Sequence, residues 1–264
     1  MARRRLDAEL VRRGLASSRA EAQEAVHRGL VLVGGTVAAK PATMVGEDQP
    51  VELAGPPRRF VSRGGDKLHA ALERFHVDPR GADVLDAGAS TGGFTDCLLQ
   101  AGAARVVAVD VGYGQFDWGL RTDDRVTLLE RTNVRELRPD DLPYRPGLIV
   151  ADLSFISLTV VLPALASVAA PGATFLVLVK PQFEAGPKDV GSGGVVRDPS
   201  VWRRVLEQVL ASFDAEGVPG VALMASPLPG PSGNIEFLLL AHVGAGGAVV
   251  PDVDGAIAEG SALA

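Results

Sequence analysis

Short apolar runs recur along the chain after residue 80, with polar segments of helical pattern between them. The runs are five to nine residues long and rich in valine, leucine and isoleucine, which is typical of buried strands. Helices are predicted to begin at Thr91, Ser157 and Asp198. The predicted strands, in chain order, are 83–88, 105–112, 126–130, 148–154, 174–180, 221–227 and 235–243. This alternation predicts an α/β fold with a seven-stranded, mostly parallel sheet, and the last strand is expected to be antiparallel.

The first fifty residues have a different pattern, in which short helices come before short strands. Apolar spacing predicts one helix that ends at Gly14. A second helix is predicted to begin at the capping-box pair Ser18 and Glu21. Two β runs then flank Gly34 and Gly35, a pair suited to a tight hairpin turn. This order predicts a small α+β domain in front of the sheet.

Composition places the chain among soluble globular proteins. Hydrophobic residues make up 47% and charged residues 22% of the 264 positions. No apolar run approaches the ~18–20 residues that span a bilayer, and the first residues lack the apolar core of a secretory signal. Cys97 is the single cysteine, which excludes an intramolecular disulfide and a multi-cysteine metal site. A cytoplasmic protein without a metal is therefore expected.

The charge is distributed unevenly. Residues 1–60 have a net charge of +3, whereas the remainder of the chain has −9. A basic front end on an acidic body indicates that the front end meets a polyanion. Aromatic residues are absent before Phe60, so contacts of this region with a nucleic acid would rest on phosphates and shape.

A glycine-rich loop follows the first predicted strand of the sheet, where ligands of such folds bind. Gly88, Gly92 and Gly93 allow a tight turn and close approach of a ligand to the backbone. The dinucleotide pattern G-x-G-x-x-G is absent, because Ser90 occupies its second glycine position. Asp110 ends the next strand, where a carboxylate can accept hydrogen bonds from ribose hydroxyls. This combination indicates a nucleoside-type cofactor such as S-adenosylmethionine.

The same loop also matches G-x-S-x-G, the nucleophile elbow of hydrolases, with Ser90 as the nucleophile. Hydrolysis by such a serine needs a histidine on a later loop. The only histidine after residue 76 is His242, which lies inside an apolar run, so the hydrolase interpretation lacks its partner residue. A helix cap is the plainer interpretation of Ser90.

Charged residues occupy comparable positions around the predicted sheet: Lys67, Asp152, Lys180 and Glu236. Lysine at the end of a strand usually reaches into water, and a surface ion-pair cluster would explain these residues without any chemistry. Parallel strands nevertheless place Asp152 and Lys180 at the same edge as the glycine loop. An antiparallel last strand would bring Glu236 to that edge as well.

Long motifs carry a family resemblance over essentially the whole chain. They are "SRGGDKL" (62–68), "DAGASTGGFT" (86–95), "DVGYGQ" (110–115), "ERTN" (130–133), "ADLSFISL" (151–158), "LVKPQFE" (178–184) and "SPLPGPSGNIEF" (226–237). The chain closely resembles the TlyA family, which are ribosomal RNA 2′-O-methyltransferases once labelled haemolysins. Residues 5–53 resemble the S4-like RNA-binding domain. One departure is Phe60, where close relatives carry tryptophan in the linker between the domains.

The resemblance implies a domain plan and a set of site residues. The expected domains are an S4-like domain (1–55), a linker (56–63), a Rossmann-like methyltransferase domain (64–245) and a weakly structured tail with at most a short helix (246–264). The residues expected to bind the cofactor are Asp86, Gly88, Ser90, Thr91, Gly92, Gly93, Phe94, Asp110, Asn133 and Asp152. The residues expected to bind RNA are Arg4, Arg5, Arg12, Arg13, Arg19 and Arg28.

The family's catalytic quartet maps onto Lys67, Asp152, Lys180 and Glu236. Burial and a neighbouring cation both favour a neutral lysine, which can then remove the proton of a ribose 2′-hydroxyl. Lys180 is the expected base, Lys67 the neighbouring cation, and the two carboxylates orient the amines. The implied reaction is methyl transfer from S-adenosylmethionine to cytidine in ribosomal RNA of one or both subunits, by a protein expected to be a monomer. A membrane-active haemolysin and a non-catalytic RNA-binding protein are the alternatives.

Overall fold

The computed structural model describes residues 3–16, 18–27, 29–54, 59–244 and 250–264. The chain separates into two compact units, Met1–Arg59 and Phe60–Ala264. Each unit has its own apolar core, as expected for separate domains.

The amino-terminal unit has the predicted order of helices and hairpin. Its elements are β1 (Arg3–Arg5), α1 (Leu6–Arg12), α2 (Arg19–His27), β2 (Val31–Val33), β3 (Thr36–Val37), β4 (Met44–Gly46) and β5 (Val51–Leu53). β2 pairs with β3 and β5, and β1 pairs with β4, all antiparallel. The hairpin between β2 and β3 turns at Gly34 and Gly35, whose φ angles are +57° and +78°. Both angles lie in the left-handed region, which explains the paired glycines.

Local sequence signals set the helix ends of this unit. Gly14 follows α1 with a φ of +70°, a conformation that glycine adopts without strain. The Ser18 side chain accepts a hydrogen bond from the Glu21 amide, with Oγ and N 3.2 Å apart. Leu6, Leu10 and other apolar residues of both helices then pack into one core against β2.

The second unit contains the predicted parallel sheet. Its strands are β6 (Asp83–Ala87), β7 (Arg105–Val109), β8 (Val126–Leu129), β9 (Leu148–Ala151), β10 (Thr174–Val179), β11 (Gly220–Ala225) and β12 (Phe237–His242). In the described part of the chain these seven strands form one sheet, in the order β11-β12-β10-β9-β6-β7-β8. Ala87 is in register with Val109 and with Ala151, so the carboxyl ends of β6, β7 and β9 meet at one edge.

Helices cover both faces of this sheet. They are α3 (Arg63–Arg74), α4 (Gly93–Gln100), α5 (Trp118–Arg121), α6 (Leu158–Val168), α7 (Pro181–Glu184), α8 (Pro199–Ala215) and α9 (Val253–Leu263), with 3₁₀ turns at Val134–Glu136 and Pro139–Asp141. Val84 and Leu85, adjacent in β6, belong to different apolar clusters. Strand alternation therefore requires a core on each face, which explains the continuous apolar runs.

The antiparallel last strand is confirmed, and it positions a carboxylate. β12 runs antiparallel between β10 and β11. Val179 at the end of β10 is paired with Phe237 at the start of β12. The residues just beyond this pair, Lys180 and Glu236, therefore lie at the same edge as the glycine loop.

The tail is better ordered than expected where the structure describes it: the short helix expected near 252–259 is present, but as α9 it spans Val253–Leu263. Ala256 and Ile257 are buried against the main core. A side-chain carbon added at Gly260 would lie 2.9 Å from Ile235 Cγ2, so the helix lies close to the segment before β12. The small residues that suggested disorder thus permit close packing; residues 245–249 of the expected tail lie outside the described residues.

The predicted linker also needs correction at its carboxyl end. Phe60 is 4% exposed and belongs to the core of the second unit. A side-chain carbon on Gly65 would lie 2.4 Å from Phe60 Cγ, so the ring packs directly on the first turn of α3. Arg63 already begins that helix. Residues 56–58, which make up most of the remaining linker, lie outside the described residues.

Candidate functional site

The glycine loop after β6 presses against the neighbouring strand ends. Gly88 has a φ of +87°, and a side-chain carbon there would lie 2.7 Å from the backbone oxygen of Asp152. Gly92 has a φ of +95°, and a side-chain carbon there would lie 2.5 Å from Leu120 Cδ1. Neither position has room for a larger residue, so the two glycines let the loop pack closely on neighbouring segments at this edge.

Asp110 lies next to the loop and organises it. Its Oδ2 accepts a hydrogen bond from the Ser90 amide at 2.7 Å, and its Oδ1 accepts one from the Gly112 amide at 2.6 Å. Ser90 has a φ of +49°, a left-handed conformation that is uncommon outside glycine. The carboxylate therefore stabilises a strained turn of the loop, a role that the sequence motif did not reveal.

The remaining residues predicted to bind the cofactor lie around the same loop. Gly93 and Phe94 begin α4, whose first-turn amides have no partner within the helix. The Phe94 side chain is buried in the core, which leaves its backbone amide as the part able to contact a ligand. Thr91 accepts a hydrogen bond from the Asp117 amide, with O and N 3.2 Å apart. Asn133 follows β8 and caps a 3₁₀ turn.

Asp86 is fully buried at the end of β6. Its Oδ2 accepts a hydrogen bond from Thr95 Oγ1 at 2.6 Å, whereas Oδ1 has no hydrogen-bond partner among the described residues. Burial raises the pKa of the Asp86 carboxyl to about 7, and the nearby charge of Asp152 contributes to the increase. The Thr95 hydroxyl opposes this shift by stabilising the ionised form.

The predicted quartet forms two ion pairs, and the first joins α3 to the start of β12. Lys67 Nζ lies 2.5 Å from Glu236 Oε2, and both side chains are buried. Gln182 donates a hydrogen bond to Glu236 Oε1 at 3.3 Å, which connects this pair to the segment after β10.

The second ion pair joins the ends of β9 and β10. Lys180 Nζ lies 2.5 Å from Asp152 Oδ1, and it also donates to Ser154 Oγ at 3.0 Å. The Lys180 side chain is 10% exposed and that of Asp152 24% exposed, so this pair lies closer to solvent than the first. Neither pair is the surface ion pair that was the alternative interpretation of these residues, because both lysines are largely buried.

Glu184 is a residue of this edge that the sequence reasoning missed. Its Oε2 accepts a hydrogen bond from Ser157 Oγ at 2.5 Å, and its Oε1 accepts one from the Leu158 amide at 2.8 Å. Desolvation raises the pKa of the Glu184 carboxyl. These bonds connect α7, which follows Lys180, to the beginning of α6. The loop formed by residues 152–157 precedes α6. The motif "LVKPQFE" contained Glu184, but no local pattern indicated its contact with Ser157.

Phe155 stands out within that loop. It has a φ of +63° and is 91% exposed, and its ring centroid lies 5.1 Å from that of Phe183. A bulky side chain held in the left-handed region and in water is a costly arrangement that points to function.

The arginines predicted to bind RNA lie on the amino-terminal unit and form ion pairs there. Arg5 and Arg19 contact Asp7, whereas Arg12 and Arg13 contact Glu9. The remaining two predicted residues are Arg4, which lies 3.9 Å from Glu9, and Arg28, which lies outside the described residues.

The described residues contain neither a membrane-spanning helix nor a metal-binding cluster. Within the described residues, no helix combines the length and the apolar character needed to cross a bilayer. The same part of the chain contains no group of histidine, cysteine and acidic residues arranged to hold a metal ion.

Each of the two units matches a known protein family. The FtsJ-like methyltransferase family matches residues 60–242, and the S4 domain matches residues 4–51. The protein of Mycobacterium tuberculosis (strain ATCC 25618 / H37Rv) named 16S/23S rRNA (cytidine-2′-O)-methyltransferase TlyA is 54% identical over 241 residues, or 90% of each chain. The chain belongs to the TlyA family. The predicted family resemblance is thus confirmed over both units.

Other members of the TlyA family carry a different label. Hemolysin A of Brachyspira hyodysenteriae is 36% identical over 235 residues, which are 89% of this chain and 98% of the relative. Among solved structures, a protein labelled a hemolysin from Streptococcus thermophilus has 38% identity and a TM-score of 0.81, and the match covers 100% of this chain and 97% of that one. The label is shared within the family, and the catalytic fold is that of a methyltransferase.

Proposed function

We propose that this TlyA-family protein transfers a methyl group from S-adenosylmethionine to the 2′-hydroxyl of a cytidine in ribosomal RNA. The observation that carries the proposal is the pair of largely buried lysine–carboxylate contacts at the strand edge that also holds the glycine loop. The name of the M. tuberculosis relative supports the choice of nucleotide and hydroxyl.

The residues at the glycine loop fit the cofactor. The absence of a side chain at Gly88 lets the loop pack closely on the Asp152 backbone, and the Asp110 carboxylate beside the loop can accept hydrogen bonds from ribose hydroxyls. The first-turn amides of α4 offer further donors. When bound, S-adenosylmethionine supplies an electrophilic methyl group.

Lys180 is the proposed base. Asp152 and Ser154 hold its amine at the edge of the sheet, where a ribose can approach from solvent. The base form is the neutral amine, so the Lys180–Asp152 pair first loses one proton to solvent. Lys180 would then accept the proton that the 2′-hydroxyl loses as the methyl group passes from sulfur to the ribose oxygen, which would leave the spent cofactor as a neutral thioether.

Lys67 contributes a fixed positive charge that Glu236 keeps in place. Gln182, two residues after Lys180, donates to Glu236 and connects the two pairs. The Lys67–Glu236 pair thus helps to hold the segment that carries Lys180 at the edge of the sheet.

Transfer of a tritium-labelled methyl group to purified small and large ribosomal subunits tests the proposal. The expected result is label in ribosomal RNA at a cytidine whose 3′ phosphodiester resists alkaline cleavage, because a methylated 2′ oxygen cannot attack it. Binding of RNA without transfer, under conditions in which the M. tuberculosis relative transfers label, would instead favour a non-catalytic RNA-binding protein.

A further inference from the structure

Asp7 lies at the centre of a cluster of donors on the amino-terminal unit. Its side chain is fully buried, although it is a charged residue in the first turn of a short surface helix. Arg5 donates to it through Nε and Nη2, at 3.1 Å and 2.8 Å. Gln23 donates at 2.9 Å, and Arg19 Nη2 lies 3.3 Å from Oδ1. One carboxylate thus holds side chains from β1 and α2 together.

The arginines of this cluster remain accessible while the carboxylate does not. The side chains of Arg5 and Arg19 are 46% and 59% exposed, against 0% for Asp7. Hydrogen bonding from Arg5 holds the pKa of the Asp7 carboxyl well below its usual range, so the anchor stays ionised. Two positive groups are therefore held beside one buried negative group, and their outer edges face solvent.

The neighbouring carboxylate, Glu9, binds an arginine that also stabilises the backbone of the unit. Arg13 contacts Glu9 through Nε at 2.7 Å, but it also donates to the backbone carbonyls of Gly46, Glu47 and Gln49. Those bonds close the turn between β4 and β5. Arg13 is therefore a structural residue of the unit, whereas Arg5 and Arg19 are bound to Asp7 without such backbone contacts from the described residues.

We propose that Asp7 is a positioning residue that presents Arg5 and Arg19 as a fixed pair of guanidinium groups to phosphates of an RNA backbone. The proposal rests on the proposed function, which makes RNA the substrate. Guanidinium groups match phosphate oxygens in a two-point geometry, and ordering them beforehand removes part of the entropy cost of binding. Residues 1–59 contain no aromatic side chain for base stacking, so phosphate contacts must carry the affinity.

The variant Asp7→Asn separates positioning from charge, because the two effects have opposite signs. The substitution raises the net charge of the unit by one, and charge alone predicts tighter RNA binding. Loss of positioning predicts weaker binding, by roughly tenfold or more if one charge-assisted contact to phosphate is lost. Fluorescence anisotropy with a labelled ribosomal RNA fragment measures whether Asp7→Asn raises or lowers RNA affinity. The measurement is made at several salt concentrations.

Glu47→Gln is the matched control. It changes the charge by the same amount, and the Glu47 side chain is 66% exposed. We expect RNA affinity that is equal to wild type or tighter. In methyl-transfer assays, Asp7→Asn should raise the KM for ribosomal subunits and leave the single-turnover rate at saturation unchanged.

A double-mutant comparison guards against a general loss of structure. In a protein carrying Arg5→Gln and Arg19→Gln, Asp7→Asn should no longer weaken RNA binding, and only the tightening expected from its change in charge should remain. The proposal would be overturned if Asp7→Asn weakened RNA binding as much in the protein that lacks both arginines as in wild type. Wild-type RNA affinity of the single variant Asp7→Asn would overturn it as well. If circular dichroism shows that Asp7→Asn unfolds the unit, Arg5→Lys with Arg19→Lys keeps the charge and removes the two-point geometry; unchanged affinity there would also overturn it. Absence of methyl transfer by the wild-type protein would instead contradict the proposed function.

Discussion

Lys67 and Glu236 lie 169 positions apart in the chain, and their side chains meet in a buried ion pair with Nζ 2.5 Å from Oε2. The pair joins α3, which precedes the sheet, to the residue that precedes β12. It therefore connects the beginning and the end of the catalytic unit at the edge where Lys180 lies.

Replacing one member of this pair should lower the free energy of unfolding more than replacing both members. Glu236→Gln leaves the Lys67 charge buried without its partner, so we expect a loss of about 3–5 kcal/mol in the free energy of unfolding. Lys67→Met combined with Glu236→Leu removes both charges and should recover much of that loss. Methyl transfer should be absent in both proteins. Urea unfolding measures the stabilities, and Glu207→Gln, at a 60% exposed side chain, is the control expected to remain near wild type.

Lys180→Arg should abolish methyl transfer and spare cofactor binding. Arginine keeps the positive charge but does not give up its proton at any working pH, so it cannot act as the base. Single-turnover transfer and calorimetric titration with S-adenosylmethionine check the two halves of this prediction. Lys188→Arg, at an exposed position after α7, is the matched control and should leave the rate unchanged. Retention of most of the wild-type rate in Lys180→Arg would mean that Lys180 acts only electrostatically or structurally.

Alanine substitutions at Gly88 and Gly81, which lie just after and just before β6, separate the effect of steric contact from that of backbone strain. Both have a positive φ, +87° and +70°. A side-chain carbon at Gly81 meets nothing within 4 Å, whereas at Gly88 it would lie 2.7 Å from the Asp152 backbone. Gly81→Ala should therefore cost about 1 kcal/mol of stability and keep cofactor affinity. Gly88→Ala should cost roughly 1–3 kcal/mol more and lose affinity; equal calorimetric affinities in the two variants would contradict the placement of the cofactor.

The buried carboxyl of Asp86 should make stability fall as pH rises. An aspartate in an unfolded chain has a pKa of about 3.9, whereas burial raises the pKa of Asp86 to about 7 in the folded protein. Between these values the folded protein binds more protons than the unfolded chain, so the free energy of unfolding decreases with pH. The contribution is complete below the unfolded pKa and is lost as pH rises through about 7, and a shift of three units corresponds to about 4 kcal/mol.

Urea unfolding of cofactor-free protein at pH 5 and pH 8 measures this loss. Asp86→Asn cannot ionise, so its decrease between these pH values should be smaller than that of wild type by a few kcal/mol. Thr95→Val removes the hydroxyl that lowers the pKa of Asp86, and it should extend the decrease to higher pH. Parallel pH profiles for wild type and Asp86→Asn would show that Asp86 does not titrate in this range.

Local sequence signals were sufficient for the strands of the large sheet, for the amino-terminal hairpin and for the glycine loop. The hairpin at Gly34 and Gly35 and the cap at Ser18 depend on neighbouring residues, so their patterns could be recognised without the fold. The parallel strands were equally clear, because burial on both faces requires unbroken apolar runs. Once the strands were known, the rule that ligands bind at their carboxyl ends placed Gly88 and Asp110 together.

The contacts between distant segments were decided only by tertiary packing. Neither the pairing of Lys67 with Glu236 nor the contact of Glu184 with Ser157 has a local pattern, since each joins segments that are distant in the chain and adjacent only in the folded structure. The tail was misjudged for the same reason: Gly260 weakens a helix considered alone, but it allows α9 to lie close to Ile235. Burial can reverse a local preference, because the free energy of excluding apolar surface from water depends on which surfaces meet, and that is a property of the whole fold.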